Sequence, residues 1–106
     1  MKNKFFALFT TFTSLVAFGQ PLQDAVKKTE NENFDAAAID FKGLIQREPN
    51  KGENYFYFGE NFFKRGEIDS ANMLYTKGAE VNATNPLNYA GLGKVLLAKG
   101  NVNDAK

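Results

Sequence analysis

The run Tyr55-Phe56-Tyr57-Phe58-Gly59-Glu60-Asn61-Phe62 decides the fold, because its large and small side chains return 34 positions later in Tyr89-Ala90-Gly91-Leu92-Gly93-Lys94-Val95-Leu96. Tyr55, Phe58 and Phe62 stand at i, i+3 and i+7, the spacing of one helix face, and so do Tyr89, Leu92 and Leu96. The correspondence extends on both sides. Gly66 and Ala71 pair with Gly100 and Ala105, and Phe34, Asp35, Ala37 and Phe41 pair with Ile68, Asp69, Ala71 and Tyr75. A fixed period of this length marks a series of similar units.

Within one period the residue types are those of a helical hairpin. A helix is predicted from Glu53 to Lys64, ended by Arg65-Gly66-Glu67, where Gly66 takes a left-handed conformation without a Cβ penalty. A second helix starts at Asp69 and turns Ala71, Leu74, Tyr75 and Gly78 toward the first. Small residues at Gly59 and Ala71 permit a close approach of the pair. The next hairpin opens with Asn85-Pro86, a favoured N-cap followed by a residue suited to the first helical position. Its first helix is predicted over Pro86–Lys99, a stop at Gly100-Asn101, and a second helix from Val102. The first unit keeps its second half, Ala37-x-x-x-Phe41 closing with Pro49. In its first half Pro21, Asp24 and Lys28 stand where the next unit has Tyr55, Phe58 and Phe62, so only Leu22, Ala25 and Val26 form an apolar stripe.

On these residues the chain resembles the tetratricopeptide repeat family. The family pattern of an aromatic, Leu-Gly, Tyr, then Ala and Phe reads here as Tyr55-x-x-Phe58-Gly59-x-x-Phe62 with Ala71-x-x-x-Tyr75, and again as Tyr89-x-x-Leu92-Gly93-x-x-Leu96 with Ala105. The resemblance implies an all-α fold, antiparallel hairpins stacked as a short right-handed solenoid. It divides the chain into a degenerate first unit over 20–51, a complete unit over 52–85 and a truncated one over 86–106. Because Lys106 falls before a second helix covers Tyr89, Leu92 and Leu96, the expectation is a piece of a longer array.

Residues 1–19 read as an address. Lys2 and Lys4 precede an apolar run from Phe5 to Phe18, and Ala17-Phe18-Gly19 supplies a small-x-small exit, the pattern of a secretory signal peptide. Fourteen helical residues span roughly 21 Å, short of a bilayer core of about 30 Å. The expectation is export into a bacterial periplasm or the exterior, with no stable membrane insertion after cleavage.

Composition narrows the function classes. The chain has 106 residues, 13 Lys and Arg against 12 Asp and Glu, and no His, Cys or Trp. Without His and Cys, most nucleophile–base pairs, thiol chemistry and the usual zinc sites are missing. Asp35, Asp40, Glu48, Glu60, Glu67 and Asp69 sit at helix starts or on solvent faces, and the repeated pair Asp35 and Asp69 reads as capping. Gly91-Leu92-Gly93 lies inside a helix and is no phosphate loop. The reading is therefore no enzyme, with no catalytic residue, cofactor or metal. Lys27-Lys28 and Lys64-Arg65 are pairs rather than patches, so nucleic acid is not the expected partner. Asn82-Ala83-Thr84 is formally a glycosylation acceptor and reads as a helix-end loop.

What remains is binding of a protein or peptide. In the resembled family the first helix of each unit lines a concave face, which here places Glu53, Phe56, Tyr57, Glu60, Phe63 and Lys64 in the groove, with Leu87, Ala90, Lys94, Leu97 and Ala98 one repeat on. Phe56, Tyr57 and Phe63 exceed what the internal packing pattern requires, and rigid rings bury area at low entropy cost. For Phe56 and Phe63 the alternative is packing against the preceding unit at Ile39, Gly43 or Ile45. Phe56 and Glu60 also replace the basic and amide residues with which some family members grip a terminal carboxylate, so an apolar segment suits this groove better. Two rivals remain: a docking arm for a catalytic module beyond residue 106, and self-association through the uncovered Tyr89/Leu92/Leu96 face.

Overall fold

The computed structural model describes residues 20–104, with side chains for 20–100; the leader at 1–19 and the repeat position Ala105 lie outside the described residues. The described fold is all-α, five helices joined by short turns: α1 (Gln20–Glu30), α2 (Phe34–Arg47), α3 (Gly52–Lys64), α4 (Ile68–Val81) and α5 (Pro86–Asp104). Each helix packs on the next, and α1 also packs on α3 and α3 on α5, whereas the α2 and α4 backbones nowhere come within 8 Å of each other between Cα atoms. The odd-numbered helices thus lie side by side.

The 34-residue period is visible in backbone hydrogen bonds. After α3, Gly66 N–H donates to Phe63 O (3.0 Å) and Glu67 N–H to Phe62 O (2.9 Å). After α1, Glu32 N–H donates to Thr29 O (2.9 Å) and Asn33 N–H to Lys28 O (2.8 Å), the same pair of bonds one period earlier. This helix-terminating turn needs a left-handed residue. Gly66 supplies it at φ 86°, but in the first unit Glu32 occupies the position at φ 62°. A side chain in that conformation costs roughly 1–2 kcal/mol. At the start of α5, Asn85 Oδ1 accepts from Leu87 N–H (2.9 Å), the expected cap before Pro86.

Two apolar clusters hold the stack. Ala25, Ala37, Phe41, Leu44 and Phe58 join α1, α2 and α3, with the Phe41 and Phe58 rings stacked at 5.5 Å. Leu22 and Val26 pack against this cluster, so the short stripe of α1 suffices to seat it. Ala71, Tyr75 and Val95 join α4 and α5, backed by Phe62 and Leu92. Gly59 serves this second cluster in a particular way: a Cβ there would lie 2.6 Å from Tyr75 Cε1, so it is the Tyr75 ring, not simply a neighbouring backbone, that needs the space. Gly91 does the same from α5, where a Cβ would lie 2.5 Å from Tyr75 Cδ1. The ring is clasped between two glycines.

Buried asparagines pin the crossings. Asn61 accepts from Thr29 Oγ1 (2.8 Å) and donates to Phe34 O (3.1 Å), tying α3 to both helices of the first hairpin. Asn88 donates to Gly52 O (3.0 Å) and Asn54 to Glu48 O (3.3 Å). Burial without these partners would cost about 1–3 kcal/mol per amide.

Two expectations need correction, and one repeat position stands open. The helix predicted over Pro86–Lys99 does not stop at Gly100-Asn101; α5 continues to Asp104. Gly93, the repeat counterpart of Gly59, has nothing within 4 Å of where its Cβ would stand. Asp35 and Asp69 make no side-chain caps for α2 and α4. Asp35 instead pairs with Arg65 (3.0 Å) and Asp69 with Lys99 (2.9 Å), one ion pair repeated a period later.

Candidate functional site

The face shared by α1, α3 and α5 carries a groove. On α3, Glu53, Tyr57, Glu60 and Lys64 stand at i, i+4, i+7 and i+11 and so lie along one side of the helix. On α1, Leu22, Val26 and Glu30 do likewise, four residues apart. A cavity of about 570 Å³ opens between them, with Leu22, Val26, Tyr57 and Leu87 as its apolar lining and Gln23, Lys27, Glu30 and Glu53 as its polar one. A smaller cavity of about 120 Å³ continues from it past Val26, Glu30 and Tyr57 to Glu60 and Lys64.

Tyr57 borders both cavities. Its ring is half-buried against the Phe41/Phe58 cluster and meets Phe56 edge-on at 4.9 Å. A ring fixed in this way loses little further freedom when a ligand covers it. Glu60 is committed elsewhere: Lys94 Nζ lies 2.7 and 2.6 Å from its two carboxylate oxygens, and the Tyr75 hydroxyl donates to Oε2 at 2.7 Å. Burial, then the hydrogen bond to Glu60 and its charge, hold the Tyr75 phenol well above its ordinary range, so it remains a donor. Lys94 also stands 4.5 Å from the centre of the Phe63 ring, a cation–π contact. This network braces α3 against α4 and α5 at one end of the groove.

The predicted groove residues therefore separate. Of these, Glu53, Tyr57, Glu60 and Lys64 on α3 and Leu87 on α5 line the cavities. Phe56 and Phe63 do not line them. Both pack forward onto the Ala71/Tyr75/Val95 cluster, Phe56 at 5.8 Å from the Tyr75 ring, rather than back onto Ile39, Gly43 or Ile45. The reason is angular: neighbouring positions on a helix point about 100° apart, so Phe56 faces the following helices while Tyr57 faces the groove. Lys94 is bound to Glu60, and Leu97 stands 70% exposed on α5 with Tyr89 (50%) and Leu96 (73%).

A second opening of about 620 Å³ lies between α1 and α2, but the Lys28–Asp40 pair at 2.6 Å joins the helices across it, and charges of both signs make up much of its lining. Asn82 ends α4, and its Oδ1 accepts from the Thr84 hydroxyl at 2.9 Å in the loop. Among the described residues no helix is long and apolar enough to cross a membrane. No model of a known protein family matches the chain, and no curated protein is significantly similar to it.

Proposed function

We propose that this chain is a non-catalytic binding module of the tetratricopeptide type, an exported right-handed solenoid of the bacterial envelope that captures a peptide segment of a protein partner between α1, α3 and α5. Contacts between the odd-numbered helices, with α2 and α4 held apart, favour a stack that curves toward the groove. Repetition of the turn bonds and of the aspartate–base pair after 34 residues supports stacked units. The observation that carries the binding role is Tyr57, a braced aromatic ring opening onto two contiguous cavities among Leu22, Val26 and Leu87.

The test is capture of a capped peptide library by the immobilised chain. Tyr57→Ala and, separately, Leu87→Lys are expected to reduce capture at least tenfold while thermal unfolding remains cooperative. Unchanged capture by both folded variants contradicts the proposal. A second reading, self-association, is favoured by Tyr89, Leu96 and Leu97 standing exposed together on α5. Sedimentation separates the two, since a monomer at all concentrations excludes self-association and leaves the groove.

A further inference from the structure

The groove has a charge order along its length. Among the described residues Glu53 and Lys64 form no ion pair, whereas Glu60 between them is neutralised by Lys94. Both line the groove on α3, one toward each end. Eleven helical residues separate them by about 16 Å, the length of roughly five extended residues. Tyr57 lies four residues from Glu53 and seven from Lys64, about 6 and 10 Å along the axis, or roughly two and three extended residues. On the facing helix Glu30 lines both cavities and Lys27, within one turn of it, only the larger.

We propose that the occupant of the groove is an extended dipolar segment: an apolar side chain seated beside Tyr57, a basic residue two positions away meeting Glu53, and an acidic residue three positions away on the other side meeting Lys64. The inference rests on the peptide-groove reading and adds a rule for which peptides enter. Opposite charges at matched spacing fix register more than they add affinity, and they weaken with salt.

Three capped hexapeptides test it, each with leucine third and alanine elsewhere. The first carries lysine first and glutamate last, the second glutamate at both ends, and the third lysine at both ends. Neither like-charged peptide can satisfy both ends of the groove in either chain direction. Titrated into the full chain at low salt and followed by NMR, the dipolar peptide is expected to bind about tenfold tighter than either other, a gap that closes in about 1 M NaCl. Glu53→Lys, an exchange on the open groove side of α3, is expected to make the doubly acidic peptide the tightest binder. Equal affinities for all three overturn the dipolar rule and leave the groove standing. No binding of any peptide at millimolar concentration, or equal binding when alanine replaces the leucine, overturns the groove reading as well.

Discussion

Helices α3 and α5 present the same face to different surroundings. On α3, Tyr55, Phe58, Gly59 and Phe62 meet α2 and α4: Tyr55 is 5% exposed and donates to Pro49 O at 3.0 Å, and Gly59 receives the Tyr75 ring. On α5, their counterparts Tyr89 and Leu96 are 50% and 73% exposed and Gly93 faces open space, while Leu92 leans inward on the Tyr75 cluster. The difference shows that a ring–small–ring pattern records the shape a helix offers to a partner. Whether the face is buried depends on a second helix that carries the filling side chain. Turn residues differ in the same spirit, since Gly66 relaxes a conformation that Glu32 must adopt under strain.

The largest break in this comparison comes from removing the rings. Tyr55→Ala is expected to cost about 3–5 kcal/mol in denaturant unfolding, and Tyr89→Ala less than about 1 kcal/mol. Equal costs would mean that the α5 face is covered in solution. Adding a methyl group gives the next contrast. Gly59→Ala forces the Tyr75 ring to move and is expected to cost about 1–3 kcal/mol, while Gly93→Ala gains up to about 1 kcal/mol from helix propensity. At the turns, Glu32→Gly is expected to stabilise by about 0.5–1 kcal/mol and Gly66→Ala to destabilise by a similar amount.

The smallest effect is a titration. Because the folded state raises the Tyr75 phenol above its ordinary value of 10.0, its contribution is complete below about pH 10 and is lost as the pH rises beyond it, when the unfolded chain ionises and the folded one does not. The Tm of the wild-type chain is expected to fall more steeply above pH 10 than that of Tyr75→Phe. Parallel curves would show that the Tyr75 phenol is not held in its protonated form by the fold.

Much of the architecture was legible because it depends on periodicity. Apolar spacing and the 34-residue repeat located the helices, and Gly66 and Asn85-Pro86 announced their ends. What escaped was chemistry that depends on a particular neighbour. Gly91 reads as a weak helix residue until Tyr75 is seen to occupy its side, and nothing local to Glu32 announces a left-handed backbone. Asn54 and Asn88 are themselves one period apart, a signal available in the sequence, since asparagine inside a helix is otherwise unfavourable. Of the residues expected in the groove, Glu53, Tyr57, Glu60, Lys64 and Leu87 line the cavities and Phe56 and Phe63 do not, because aromatic character alone does not say which flank of α3 a ring faces. Helix α5 runs on through Gly100 because a glycine permits a turn without dictating one.

Amide chemical-shift mapping of the labelled chain with the dipolar hexapeptide asks most directly whether the groove or the open α5 face is the binding surface. The account predicts perturbations centred on Leu22, Val26, Tyr57 and Leu87. Perturbations confined to Tyr89, Leu96 and Leu97 would contradict it.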